Sequence, residues 1–337
     1  MSSLGSVDWS GLLAWSTKYH DTTTSTTPQQ PMSAERREFL EKAIEETLGK
    51  QENPNNVMKE AITKLNGIIS NIDHTYAADD EESSTSSPTS TSGEAITALL
   101  AVIDRCTDYP DCPRNLEVLG GTRPLLYLSC NDNNIITDVN VRIEAAELLA
   151  LMLSNNTDVQ QACYTRYHGL HRLQNRIVKL STSGPHDDKE LAALLSALGS
   201  LIRNYPQAES AFISDSNGTH LIATLLNKDY SIRVQQKAGS LYRYLLSDGR
   251  ATIVGSDDVA KALIQLYHSD GGDGDDGGDI QYYEILAGLS YELRAFPGMA
   301  DAVKERMKRI LSSSNKKDYQ PELTILIQTA KYTTTKH

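Results

Sequence analysis

Five basic side chains, Arg142, Arg203, Arg233, Lys237 and Arg243, recur on or beside segments with helical apolar spacing. A row of cations with no nucleophile or base beside it does not point to a reaction, but it suits pairing with the carboxylates of another protein. Other constellations carry less. Cys163, His168 and His171 offer thiolate and imidazole ligands at close spacing, yet a closed zinc site takes four ligands and no fourth stands out, so no metal is expected. Gly271 to Asp276 reads G-G-x-G-x-D, but calcium-binding β-rolls build their sites between consecutive copies of that pattern, and one copy does not suffice. The surrounding acidic Gly/Asp stretch, residues 268–279, is expected to be an insertion between helices. The chain has no Walker-type phosphate loop, no G-x-S-x-G, no H-E-x-x-H and no G-x-G-x-x-G that opens a helix after a strand. Neither catalysis nor a bound cofactor is expected.

The elements that must position these cations repeat. EAAELLALML at Glu144, ALLSALGSLI at Ala193 and KAGSLYRYLL at Lys237 are 49 and 44 residues apart, and YYEILAGLSYEL from Tyr282 is a weaker fourth copy. Gly121, Gly169 and Gly218 return at intervals of 48 and 49, each before an apolar segment. Ile96, Leu99, Leu100 and Ile103 form one expected stripe; Leu191, Leu194, Leu195, Leu198, Leu201 and Ile202 form another. Recurrence at this interval marks a stacked solenoid, because one unit cannot bury its apolar face without neighbours. The expected fold is all-α: an armadillo-like, right-handed superhelix of about four repeats over residues 94–332, each running as turn, packing helix, loop and long helix. AVKERMKRILSS and PELTILIQTAKY are expected to cap it.

Ahead of the repeats, residues 1–76 read as a flexible module with short helices, and residues 77–93 as a Ser/Thr-rich linker too poor in apolar side chains to order itself. With 337 residues, 39% of them apolar, the chain can bury a large core. A net charge of −12 opposes attraction to nucleic acid or to an anionic membrane, and no apolar run approaches the roughly 18–20 residues that span a bilayer. Four cysteines without C-x-x-C spacing, and a start lacking a basic segment followed by an apolar one, lead us to expect a reducing, cytoplasmic setting.

Taken in order, these segments resemble the armadillo-type nucleotide exchange factors of heat shock protein 70 chaperones, particularly their fungal cytosolic members. Leu12-Leu13-Ala14-Trp15-Ser16 looks like the family's amino-terminal LLxWS element, and Asn53-Pro54 through Val57-Met58-Lys59-Glu60 like its (N/D)P-x-x-(L/V)MKE segment. VRIEAAELLALMLSNN, LIRNYPQAESAFI and KAGSLYRYLLSD are similar to its successive long helices. ETLGKQEN stands where the family often has a Gly-rich stretch.

The resemblance implies a monomeric co-chaperone whose concave face embraces one lobe of the chaperone's nucleotide-binding domain, opens the cleft and releases ADP. Carried over by position, the partner-facing residues are Tyr109 and Pro110 at the first edge, Arg142 and Glu144, then Arg203 and Asn204, then Lys237 and Tyr244, with Lys237 the foremost. The family also uses its amino-terminal region to compete with chaperone-bound polypeptide. Leu12, Leu13 and Trp15, within residues 4–20, would serve that role here. The alternative is an armadillo scaffold or adaptor without exchange activity. Import-type cargo recognition is disfavoured because Trp9 and Trp15 both lie outside the repeats.

Overall fold

The structure is a computed structural model that describes residues 54–72, 91–108, 111–131, 138–182, 187–246, 256–268, 280–312 and 319–334. The chain divides into two units, Met1–Glu52 and Asn53–His337. The first lies outside the described residues, and with it Leu12, Leu13 and Trp15.

Helix α1 (Pro54–Ile72) starts on a proline, which tolerates the first helical position because its missing N–H has no intrahelical partner there. Met58, Ala61, Ile62, Leu65, Ile68 and Ile69 make one buried stripe along it. That stripe packs on α2 (Thr91–Asp108), α3 (Cys112–Val118) and α4 (Thr122–Cys130). The second unit thus begins ahead of α1, which has an apolar partner in the helices that follow. Helix α2 likewise begins at Thr91, inside the Ser/Thr-rich stretch. Its buried stripe is Ala95, Ala98, Leu99 and Val102, while Leu100 is 45% exposed. Ala95 and Ala98 face the contact together with Leu99 and Val102, and Ile103 packs partly buried against the core.

The remaining helices are α5 (Val139–Leu153), α6 (Thr157–Tyr167), α7 (Gly169–Thr182), α8 (Asp188–Ile202), α9 (Pro206–Ser214), α10 (Ser216–Leu225), α11 (Ile232–Leu246), α12 (Ser256–His268), α13 (Ile280–Glu292), α14 (Met299–Ser312) and α15 (Gln320–Thr334). No strand occurs among the described residues. Helices α2, α5, α8, α11, α13 and α15 pack side by side in one row; α4, α7, α10, α12 and α14 form a second row behind it. Each unit touches the next in sequence, the arrangement of a helical solenoid.

Between α3 and α11 the unit holds three helices, not the expected two: α3-α4-α5, α6-α7-α8 and α9-α10-α11. The short leading helices were hidden because they bury so little. In α6 only Val159, Gln160, Ala162 and Cys163 are inside, too few to write a long apolar stripe. They explain the recurring glycines, however. A Cβ at Gly121 would stand 2.6 Å from Leu116 Cγ, one at Gly218 would stand 2.7 Å from the Phe212 carbonyl oxygen, and one at Gly169 would collide with Cys163 Sγ. Leu116, Cys163 and Phe212 are the buried anchors of the three short helices, and each needs its glycine to let the next helix approach.

Helix α8 is central. LAALLSALGSLI is apolar nearly all round, and α5, α7 and α11 pack against it. Its amino end is capped by Asp187 Oδ1, which accepts from the N–H groups of Lys189 and Glu190 at 2.7 and 3.2 Å. Past Lys189, only Ser196 and Ser200 of α8 reach the surface.

Candidate functional site

The outer face of α5, α8 and α11 gathers most of the basic residues, and the fold sorts them into different tasks. Arg142, on the first turn of α5, turns inward. Its Nε donates to Glu190 Oε1 at 2.8 Å and its Nη2 to Glu190 Oε2 at 3.0 Å, while Arg176 Nη2 of α7 donates to Oε1 at 2.6 Å. The three side chains are only 15%, 2% and 9% exposed in the order Arg142, Glu190, Arg176. Two guanidiniums sharing one buried carboxylate tie α5, α7 and α8 together. Arg142 is thus built into the junction.

Arg203, just past the end of α8, lies on the face. Its Nη2 donates to Ser240 Oγ of α11 at 3.0 Å, and its guanidinium stands 5.8 Å from the Tyr244 ring centroid. The turn that presents it is held from below. Gln160 of α6, fully buried, donates its amide to the carbonyls of both Ser200 and Arg203 at 2.7 Å. These are carbonyls at the helix end that would otherwise lack partners.

Asn204 follows with φ of 62°, and Asn155, 49 residues earlier after α5, has φ of 53°. Asparagine visits this left-handed region more readily than most side chains. The two form a rung between units, Asn204 Nδ2 donating to Asn155 Oδ1 at 3.3 Å. The Asn204 N–H donates to the Tyr244 hydroxyl at 2.9 Å, and that hydroxyl donates to Glu209 Oε2 at 3.4 Å. Tyr244 and Asn204 therefore brace the edge of the face where Arg203 sits.

Lys237 occupies the middle. It is partly buried, and among the described residues it makes no ion pair or hydrogen bond. Burial pushes its ammonium below the usual lysine range; the neighbouring Arg233 and Arg203 push the same way, and Glu147 opposes them. Arg233, one turn away, reaches across α8 to Glu147 of α5, with Nη2 3.7 Å from Oε1. Glu144, one turn from Glu147, is itself partly buried; desolvation and then the Glu147 charge raise its carboxyl. Arg243 takes a separate position over the backbone of α13, where a Cβ on Gly288 would meet its Nε and Cζ at 2.7 Å.

Of the residues singled out from sequence, the structure brings together Arg203, Asn204, Lys237 and Tyr244, with Glu144 on the neighbouring helix. Tyr109 and Pro110 lie outside the described residues. Glu147, Ser240 and Gln160 were missed. A Glu at helical spacing from Glu144 was a visible signal for the first; nothing in the pattern marked the other two.

The metal constellation does not assemble. Cys163 is fully buried, its thiol held well above the usual range chiefly by burial, while His171 contacts the Asn175 amide at 3.1 Å on an exposed surface. No group of three or more metal-ligating side chains converges among the described residues. A groove of about 490 Å³ opens on the second row, with Thr182, Thr224, Asn227, Asp229, Tyr230 and Gln265 among its lining residues. No described helix is long and apolar enough to cross a membrane.

No protein-family model matches the chain. Among curated proteins, the nucleotide exchange factor Sil1 of Drosophila melanogaster is 30% identical over 166 residues, which is 45% of this chain and 36% of that protein. The match thus spans about a third of the relative's length. Two crystal structures of engineered proteins are each 21% identical with a TM-score of 0.47; they cover 71% and 73% of this chain, and 94% and 56% of their own.

Proposed function

We propose that this chain is a nucleotide exchange factor that binds the nucleotide-binding domain of a heat shock protein 70 chaperone through the outer face of α5, α8 and α11. The observation that carries the reading is Lys237: a partly buried ammonium close to Arg203 and Arg233, opposed by the Glu147 charge but with no ion pair or hydrogen bond among the described residues, in a chain of net charge −12. Like charges gathered at one spot disfavour one another's charged forms, which is the direction seen at Lys237. A carboxylate-bearing partner would relieve the cluster. The ordered resemblance of the LLxWS-like, MKE and long-helix segments supplies the identity of that partner, and the similarity to Sil1 supports the same class.

On this reading the rows are armadillo-like, they curve so that the long helices line a concave face, and a monomer embraces one lobe of the partner. Exchange follows from differential binding. The protein must favour the open, nucleotide-free chaperone, and by reciprocity ADP must weaken its grip. A hundredfold faster release corresponds to roughly 2.7 kcal/mol at the transition state. The chain itself performs no catalysis. Leu12, Leu13 and Trp15 are proposed to occupy the chaperone's peptide site, assisting substrate release. A cytosolic setting is proposed too; the thiols at Cys112, Cys130 and Cys163 suit a reducing compartment.

Release of a fluorescent ADP from the isolated nucleotide-binding domain of a cytosolic heat shock protein 70, with and without the chain, tests the proposal. Acceleration is expected. Binding without acceleration would leave a scaffold, and no binding would remove the partner.

A further inference from the structure

Glu147 of α5 meets Arg233 of α11, a helix two places along the same row. Helices α5 and α11 flank α8, and α8 shows only serines past its first turn. The Arg233–Glu147 contact crosses that trough of small side chains. It is long, at 3.7 Å, and its side chains are 59% and 47% exposed. Contacts of this kind are weak and easily exchanged. Lys237, one helical turn from Arg233, and Arg203, whose guanidinium rests on Ser240, lie along the same wall; Glu147 acts on Lys237 as a nearby charge, and among the described contacts it forms an ion pair with neither. Glu147 thus contacts Arg233 loosely and acts on Lys237 only as a nearby charge, while Arg203 is held by Ser240.

We infer that Glu147 is an internal stand-in for a carboxylate of the partner, holding Arg233 across the α8 trough until an acidic surface displaces it and takes Arg233 and Lys237 together. The inference rests on the partner-binding reading above and adds the partner's chemistry and an autoinhibitory contact. One exposed ion pair is given up, and at least two form in its place. The same charge pattern turns away basic surfaces, so the cluster selects as well as attracts.

The consequence runs against the usual effect of deleting a salt bridge: Glu147→Gln should tighten binding. The full chain is titrated by calorimetry at low ionic strength with two probes, a hexaglutamate peptide and the heat shock protein 70 nucleotide-binding domain. For both, Glu147→Gln is expected to bind about two- to fivefold more tightly, the scale of one exposed ion pair. Lys237→Glu should bind at least about tenfold more weakly, and the double variant should lose the gain. Thermal melts check that each variant is folded. Weaker or unchanged binding of both probes by Glu147→Gln overturns the inference, as does a hexaglutamate response that ignores Lys237 or is absent altogether. If hexaglutamate follows the expected pattern while the chaperone domain does not bind, the inference stands and the exchange reading falls. If the chaperone domain binds through Lys237 but Glu147→Gln leaves both affinities unchanged, the inference falls and the exchange reading stands.

Discussion

Two clusters of arginine and glutamate sit within one unit of each other and behave in opposite ways. In the α5–α7–α8 junction, Arg142 and Arg176 close on Glu190 with short, well-aligned bonds, and almost no surface remains. On the α8–α11 face, Arg233 stands 3.7 Å from Glu147, Arg203 rests on Ser240, and Lys237 makes no ion pair or hydrogen bond among the described residues. The first cluster is satisfied inside the fold. The second is the face proposed above to meet a partner. A second buried pair makes the same contrast at the far end: Arg306 donates to both oxygens of Glu322 at 2.9 and 3.2 Å and packs 4.5 Å from the Tyr283 ring centroid. In both buried clusters the guanidinium meets its carboxylate at hydrogen-bond distance through two nitrogens, whereas Arg233 on the outer face stands 3.7 Å from Glu147.

The comparison can be broken most forcefully at Glu190. Glu190→Ala leaves two guanidiniums facing each other in a dry junction and should destabilise the protein by about 3–5 kcal/mol, read from chemical denaturation. A loss below about 1 kcal/mol, the scale of an exposed pair, would erase the distinction. Lys237→Glu is the opposite case. It should weaken binding to the chaperone domain by at least about tenfold, or about 1.4 kcal/mol, while moving stability by no more than about 0.5 kcal/mol. Gly218→Ala sharpens the packing side. Its new methyl meets the Phe212 carbonyl oxygen at 2.7 Å, so a cost of about 1–3 kcal/mol is expected in the same denaturation experiment. The smallest effect belongs to Tyr244→Phe, which takes the hydroxyl from the Asn204 N–H and should cost about 0.5–1.5 kcal/mol, with faster hydrogen exchange at Asn204.

Much of the fold was legible because stacked units repeat their pattern. The copies at Glu144, Ala193 and Lys237 fall on α5, α8 and α11, and the Leu191 to Ile202 stripe is buried throughout. The short helices α3, α6 and α9 were not legible. They contribute one or two anchors each, and a brief helix with so little apolar surface leaves no periodic trace. In the α2 stripe Leu99 is buried and Ile103 packs against the core as expected, whereas Leu100 is exposed and Ala95 and Ala98 take inward places that hydrophobicity alone did not mark.

At the site, sequence supplied the cations but not their division of labour. Arg142 stands near the start of its helix and Arg203 just past the end of its own, and neither neighbourhood reveals a partner 48 or 37 residues away. Glu190 and Ser240 decide which arginine is consumed internally. Those contacts exist only once the rows have stacked.

The most direct test of the central claim compares ADP release from the chaperone's nucleotide-binding domain driven by the wild-type chain and by Lys237→Glu, with thermal melts of both. The account predicts strong acceleration by the wild type, at least about a tenfold higher concentration of the variant for the same rate, and superimposable melts. Equal acceleration by the two proteins would contradict it, and would move the partner surface away from the face of α5, α8 and α11.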